Sequence, residues 1–506
     1  MAPGRATAWL LAAFLRGQSL MSHSPSVGYD DQPAAVASSC PAALVCLQRK
    51  GSMRSLRAIG WLPVVLGLVH AAVAEPRLPA TGPLAEYVAA PDASYQWTKR
   101  SEGSVLTCKY VELILTSQTW RGILWKHQLF VVKPALVPPE NRHALLMIAG
   151  GNWRDELADP RTPLKLPGEA QLLAAVAQNL KIPVAILLHV PQQPIFDGKR
   201  EDQIIAYTFR EFLQSGDPNW PLLLPMVKSA VRGMDATQAA AKSEWGLNID
   251  TFSITGASKR GWTTWLTGAV DPRAIAIAPM VIDMLNMANH IKLQRESFAG
   301  QTSEQIDDYR GLDRELETDR GRALRAIVDP WEYRHRLTQP KLIILGTNDR
   351  YWPVDACNLY WNDLPGEKYL VYVPNNGHSL PDRSRVVAGL AALNRRVISG
   401  QPLPNLQWEF GAGEGPVKLH VVSDVRPSRV RVWSAQAATR DFRDAKWTAS
   451  DAEPRDAAFA YQLAPPAAGY AALFGEAVYG EGDENEFSLS TTIRVVPSTA
   501  ATGGGK

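Results

Sequence analysis

The chain has 506 residues, 46% apolar and 20% charged, which excludes a disordered or collagen-like polymer and leaves room for about two to four domains. The formal net charge of +3 is uneven: residues 1–74 carry six Lys/Arg against Asp30 and Asp31, so the remaining body holds 47 basic and 48 acidic residues, a net −1. A near-neutral body excludes nucleic acid as the main partner, and four Cys without a CxxC pair exclude a disulfide scaffold and a structural zinc.

Residues 53–74, MRSLRAIGWLPVVLGLVHAAVA, read as a secretory signal peptide. Arg54 and Arg57 form its basic start, residues 59–69 its apolar stretch, and Ala72-Val73-Ala74 a small-residue cleavage site before Glu75. The alternative is a transmembrane anchor. It is disfavoured because the run is short of a roughly 20-residue span and Pro63 and Gly67 interrupt it. A signal should open a chain, so translation is expected to begin at Met53, with residues 1–52 an overextended start that lacks periodicity and stays disordered. The earlier run WLLAAFL is cut at seven residues by Arg16. The exported chain, periplasmic or secreted, would carry no stable membrane span. It would keep Cys108 and Cys357, as one disulfide or as two buried thiols.

From about residue 105 apolar strands alternate with amphipathic stretches. The expected strands are VLTCKYVELIL, WKHQLFVVKP, HALLMIAGG, PVAILLHV, FSITGAS, AIAIAPMVI, KLIILGTND and KYLVYVPNNGH. GEAQLLAAVAQNL and WPLLLPMVKSAVRGMDATQAAA read as helices between them. Near-continuous apolar strands with intervening helices imply a mainly parallel sheet covered on both faces. Two antiparallel strands followed by βα alternation is the order of an α/β-hydrolase domain, expected over 75–402. The charged, helical segment 285–339 interrupts the alternation between the sixth and seventh sheet strands, as a lid over the strand ends or as a solvated excursion. Beyond Pro402-Leu403-Pro404, short alternating strands such as VKLHVVS, RVRVWSAQ and FSLSTTIRVVP predict a C-terminal β-sandwich over 405–497 with no obvious catalytic cluster. Residues 498–506 read as a tail.

The sharpest chemical signal is Thr255-Gly256-Ala257-Ser258-Lys259-Arg260-Gly261-Trp262, between an apolar strand and an amphipathic helix. A Ser on a tight strand-to-helix turn exposes its hydroxyl above the sheet edge, and the following N–H groups point at the same space. The usual G-x-S-x-G has Gly two residues after the Ser; here Arg260 stands there and Gly261 comes one later. A Ser nucleophile needs a base, and the base an orienting carboxylate. Asp349 ends the strand KLIILGTND and His378 follows the next one, both at strand C-termini, where open α/β sheets bind ligands. Asp283 and Asp355 are rival acids, and His378 could instead cap backbone carbonyls. The order Ser258, Asp349, His378 is that of an α/β-hydrolase. An oxyanion hole would use the N–H of Lys259 and that of Gly151 or Asn152, in the turn Gly150-Gly151-Asn152-Trp153. Arg260, Trp153 and Trp352 are candidate pocket residues, Arg260 either facing substrate or paired with Asp250 or Asp283. There is no GxxxxGK[ST] and no HExxH, so neither cofactor nor metal is expected.

The stretch GASKRGWTTWLTGAVDPRAIAIAPMVIDMLN, with DPWEYRHRLTQPKLIILGTNDRYW, VPNNGHSL and LSTTIRVVP, resembles the PhoPQ-activated pathogenicity-related protein family from about Leu84 to Pro497. The resemblance implies an exported bacterial protein with an α/β-hydrolase domain and a C-terminal β domain, in a family whose name points to a virulence regulon. A more distant likeness is to glucuronoyl esterases, whose elbow also sets a basic residue after the Ser and a Gly three after it. The expected function is a serine hydrolase acting on a small ester or short peptide through an acyl-enzyme; esterase and peptidase are not separated, nor is the oligomeric state. The competing class is a non-catalytic binding or signalling protein on the same scaffold.

Overall fold

The computed structural model describes residues 80–498 apart from 164 and 412–415. The expected leader at 53–74, the segment 1–52 before it and the tail from 499 lie outside the described residues. Ser498, assigned to that tail, is buried and donates its N–H to the Gly469 carbonyl.

A nine-stranded sheet organises the first part, in the order β1-β2-β3-β5-β4-β6-β7-β8-β9. β1 (Gln96–Val105), β2 (Cys108–Trp120) and β3 (Ile123–Lys133) form an antiparallel meander. β3 lies antiparallel to β5 (Val184–Leu187), while β4 (His143–Ile148), β5, β6 (Thr251–Ala257), β7 (Ala274–Met280), β8 (Lys341–Gly346) and β9 (Lys368–Val373) run parallel. This is an α/β-hydrolase domain. One expectation needs correction: VLTCKYVELIL is not one strand. Val105 pairs with Cys108 and leaves Leu106 and Thr107 as a two-residue turn, with Leu106 at φ 52°. The strand it returns from, QWTKRSEGSV, is polar, with half its residues exposed, because it is the edge of the sheet, where charges discourage pairing with another chain. The extra strand moves the 285–339 segment to between the seventh and eighth strands.

The parallel strands are mostly apolar on both faces, apart from the buried hydroxyls Ser253 and Thr255 of β6, because alternate residues meet different layers. In β5, Val184 and Ile186 pack with α2 (Ala170–Leu180), the helix that follows α1 (Pro83–Ala89), and with α9 (Ser384–Ser399); Ala185 and Leu187 pack with α4 (Leu223–Trp245) and α5 (Lys259–Val270). Each such Val, Leu or Ile contributes about 1.5–3 kcal/mol when fully buried. Cys108 belongs to the first of these layers and Cys357 to the second; both are buried free thiols, so the disulfide alternative is not formed. No helix among the described residues is long and apolar enough to cross a membrane.

The 285–339 segment holds α6 (Met287–Ser297), α7 (Leu312–Glu315), α8 (Asp319–Val328) and short 3₁₀ turns. It is tied to the loop after β8 and to the start of a helix at Asp202: the Gln294 amide donates to the Tyr351 carbonyl (2.7 Å), the Ser303 hydroxyl to the Arg350 carbonyl (2.6 Å), and the Tyr309 hydroxyl to Asp202 (2.9 Å). After α9 the chain builds two antiparallel sheets. One comprises β10 (Leu406–Phe410), β11 (Val417–Ser423), β14 (Glu453–Arg455) and β15 (Ala458–Leu463); the other β12 (Arg429–Ala437), β13 (Thr448–Asp451), β16 (Tyr470–Tyr479), β17 (Phe487–Ser490) and β18 (Arg494–Pro497). Leu419, Val421 and Phe459 of the first meet Val430, Val432 and Leu473 of the second in one core, a β-sandwich.

Candidate active site

β6 delivers the chain to Ser258, whose φ of 58° and ψ of −127° lie outside the regions open to ordinary side chains. The turn is pinned on both sides. The Ser258 N–H donates to the Met280 carbonyl, and its carbonyl accepts the Trp262 N–H, both at 2.9 Å. Close packing explains the glycines. A Cβ on Gly256 would stand 2.7 Å from the Arg260 carbonyl oxygen; one on Gly261 would stand 2.8 Å from the Met280 carbonyl oxygen and 3.0 Å from that of Gly256. The residue pressed on the sheet is therefore Gly261, which leaves the preceding position free for a long side chain.

Ser258 Oγ lies 2.8 Å from His378 Nε2, and His378 Nδ1 lies 2.8 Å from Asp349 Oδ2. The other Asp349 oxygen accepts the Tyr351 N–H at 2.9 Å. Asp349 is buried, and the His378 side chain is 25% exposed. The carboxylate selects the tautomer with a proton on Nδ1, which turns the Nε2 lone pair to the serine hydroxyl. The rival acids are engaged elsewhere: Asp283 accepts the Tyr360 hydroxyl at 2.7 Å, and Asp355 accepts two guanidinium bonds from Arg440 at 3.0 and 2.7 Å. Tyr351, which sequence reasoning passed over, stacks on the His378 ring at 4.1 Å and 29°. Trp352 packs against Tyr351, one ring removed from the imidazole, and donates its indole N–H to the Val281 carbonyl.

Beyond β4 the chain turns through Gly150-Gly151-Asn152, with Gly151 at φ 125°, a conformation that favours glycine. The N–H groups of Gly151, Asn152 and Lys259 have no intramolecular acceptor among the described residues. Trp153 is buried, edge-on to His189 at 5.7 Å, and its indole donates to Asp155.

The basic pair does not face an open pocket. Arg260 donates from Nε to the Val190 carbonyl (2.6 Å) and from both terminal nitrogens to Glu201 (2.8 and 2.6 Å). Lys259 Nζ lies 2.8 Å from Asp202 and 3.3 Å from Glu201. Neither Asp250 nor Asp283 is the partner. The two acids come from the start of α3 (Asp202–Ser215), a segment distant in sequence that no local reading connects to the elbow. Burial pushes the Glu201 carboxyl up, but the hydrogen bonds and charge of Arg260, with the charge of Lys259, outweigh it and bring it down to about 2.

A cleft of about 770 Å³ lies away from this constellation, lined by Asp355, Asn358, Trp361, Trp408 and Thr492 among others and by none of Ser258, Asp349 and His378. The site is identified by its hydrogen-bonded geometry, not by cavity size.

The profile of the PhoPQ-activated pathogenicity-related proteins matches residues 84–443. Autocrine proliferation repressor protein A of Dictyostelium discoideum is 34% identical over 467 residues, covering 83% of this chain and 92% of that protein. Among solved structures, acetyl xylan esterase 1 from a Thermoanaerobacterium species is similar at 17% identity and a TM-score of 0.41, over 62% of this chain and 95% of its own. An acetyl xylan esterase from a Paenibacillus species is similar at 12% identity and a TM-score of 0.42, over 61% and 91%.

Proposed function

The chain belongs to the PhoPQ-activated pathogenicity-related protein family, and on that premise we propose that it is an exported serine hydrolase that cleaves a small ester, or a short peptide, through an acyl-enzyme. The observation that carries this reading is the continuous chain Ser258–His378–Asp349, with 2.8 Å at each link and the serine held on a strained elbow.

The chemistry follows from that geometry. His378 Nε2 takes the Ser258 proton as Oγ adds to the substrate carbonyl. The imidazolium that forms is stabilised by Asp349 through Nδ1–H. The oxyanion is received by the N–H of Lys259 and that of Gly151 or Asn152; removing one such donor typically costs about 2.7–4 kcal/mol. The imidazolium then protonates the leaving alkoxide or amine. Water, deprotonated by His378, attacks the acyl carbonyl, and the proton returns to Ser258 as the acid leaves. The 285–339 segment, anchored over the strand ends, restricts access to small substrates.

A fluorophosphonate should label the protein once, on Ser258, and Ser258→Ala should lose both labelling and hydrolysis of an activated ester while keeping its melting temperature. Because members of such a unit are not additive, His378→Ala should lose a similar factor, roughly 10⁴ or more. The name of the Dictyostelium relative favours a second reading, a secreted signalling protein that keeps the scaffold without the chemistry. Absence of labelling in a folded preparation would favour that reading and reject the enzyme.

A further inference from the structure

Asp349 and His378 stand on loops that leave β8 and β9, and β9 is the edge strand of the nine-stranded sheet. A loop hung on an edge strand has a neighbouring strand on one side only. The two loops are first joined to each other. The Asn348 N–H donates to the Asn376 carbonyl (2.9 Å), and the Asn375 N–H to the Thr347 hydroxyl (2.8 Å). Gly346 permits this approach, since a Cβ there would stand 2.4 Å from the Asn376 carbonyl oxygen. What remains is to hold the joined pair at a fixed place relative to Ser258, which follows β6, two strands inward from β8 and three from β9.

The β-sandwich supplies that support through residues 438–447, the connection between β12 and β13. Asn348, adjacent to Asp349, donates its amide to the carbonyls of Ala445 (2.7 Å) and Arg443 (3.2 Å), and accepts the Thr347 hydroxyl (2.7 Å). Asn375, three residues before His378, donates to the Trp447 carbonyl (2.9 Å) and accepts the Trp447 N–H (2.8 Å). Alternate backbone positions 443, 445 and 447 thus grip both loops. The connection is itself fixed: Trp447 is buried and packs on Phe442 and Phe474. Arg440 pairs with Asp355, Arg350 with Asp444, and Arg443 with Glu304 of the 285–339 segment. The β9 edge is closed as well, the Tyr372 N–H donating to the Ser490 hydroxyl (3.0 Å).

We infer that the C-terminal sandwich is part of the catalytic apparatus, with Asn348 and Asn375 as positioning residues that fix the Asp349–His378 pair against Ser258 through the 438–447 connection. The inference rests on the serine-hydrolase reading for its consequence in rate. Both asparagine side chains bond to backbone of the 438–447 connection and not to Ser258 or His378. Loss of either should let the imidazole drift from the serine, and a misplacement near 1 Å can cost about 100-fold.

The test uses the full exported chain with Asn348→Ala and Asn375→Ala, and Val421→Ala as a control that loosens the sandwich core without touching the connection. The expected result is a fall in kcat for an activated ester, and in the fluorophosphonate labelling rate, of about ten- to hundred-fold in each Asn variant, with KM within about twofold. Val421→Ala should lower the melting temperature and leave kcat unchanged. A proton NMR spectrum of each protein adds a readout independent of turnover: the low-field Nδ1–H signal of the His378–Asp349 bond should be present in the parent and shifted or lost in the Asn variants. Wild-type kcat and an unmoved low-field signal in both Asn variants would overturn the inference. So would an equal loss of kcat in Val421→Ala, which would make the effect one of stability. If the parent shows the low-field signal but no labelling, the hydrolase reading fails, and the Asn variants still decide the positioning role through that signal.

Discussion

Arg260 holds Glu201 in a two-pronged ion pair while its guanidinium presses on the backbone of Gly150, where a Cβ would stand 2.3 Å from the terminal nitrogen. The residue that replaces the usual elbow glycine thus braces the turn that offers Gly151 and Asn152. Glu201→Gln should leave a buried guanidinium short of its counter-charge. Breaking a fully buried pair costs about 3–5 kcal/mol; the Glu201 side chain is 37% exposed, so screening reduces this to about 1–2 kcal/mol. The variant should melt several degrees lower and lose activity. Its pH dependence is fixed by the depressed carboxyl: the contribution is present above the ordinary Glu range and lost as pH falls through about 2. The melting-temperature gap between parent and variant should therefore be constant from pH 5 to 8 and close below about 4.5. A gap that widened on acidification would refute the assignment.

Lys259 is covered by the same acids, with Asp202 at 2.8 Å and only 8% of its side chain exposed. A cation already neutralised by two carboxylates has little field left for a substrate. Lys259→Met should lower the melting temperature and change the specificity constant equally for an anionic ester and its neutral isostere. A selective loss on the anionic ester, measured on purified protein at fixed ionic strength, would show that Lys259 faces substrate.

Ser258, Asp349 and His378 were legible because each follows a buried strand: β8 and β9 show as runs rich in Leu, Ile and Val, while β6, with three hydroxyl residues, was marked by the Gly-x-Ser turn that ends it. β1 was not legible: as a polar edge strand it reads as a loop until its pairing with β2 is known. Nor were Glu201 and Asp202, whose role depends on a contact 57 to 59 residues away in the chain. Asn348 and Asn375 look like ordinary turn residues; only the fold brings residues 443–447 against them. Local pattern thus located the ends of strands, while the groups that brace those ends are set by long-range packing that no window of sequence contains.

Gly261 offers a direct check of the elbow. Alanine there would gain about 1 kcal/mol of helix propensity. Against that, the new methyl would meet two backbone carbonyl oxygens, those of Met280 and Gly256, at 2.8 and 3.0 Å. Neither can rotate away, and overpacking typically costs about 1–3 kcal/mol. The clash outweighs the propensity, so Gly261→Ala should melt lower and react more slowly with a fluorophosphonate. An unchanged or higher melting temperature would mean that the helix start relaxes freely and that the glycine is not required by packing.

Asp283 carries the clearest dependence of stability on pH. Its carboxyl is buried just beyond β7, accepts the Tyr360 hydroxyl and pairs with no cation among the described residues. Burial, followed by the charges of Asp349 and Asp355, pushes its pKa up from 3.8 to about 8, against the lowering effect of the Tyr360 bond. Between those two values the folded chain holds a proton that the unfolded chain has released. Stability therefore falls as pH rises through this window and levels off above about 8, the opposite sense to Glu201. Four decades of proton affinity convert to a penalty on the order of several kcal/mol at the alkaline end. Asp283→Asn keeps an acceptor for Tyr360 and cannot ionise. Its melting temperature should match the parent near pH 4 and exceed it by a margin that grows up to about pH 8 and then stays constant. Differential scanning calorimetry across pH 4–9 would measure that margin. A margin independent of pH, or a variant less stable than the parent at pH 9, would show that Asp283 is already ionised in the folded protein.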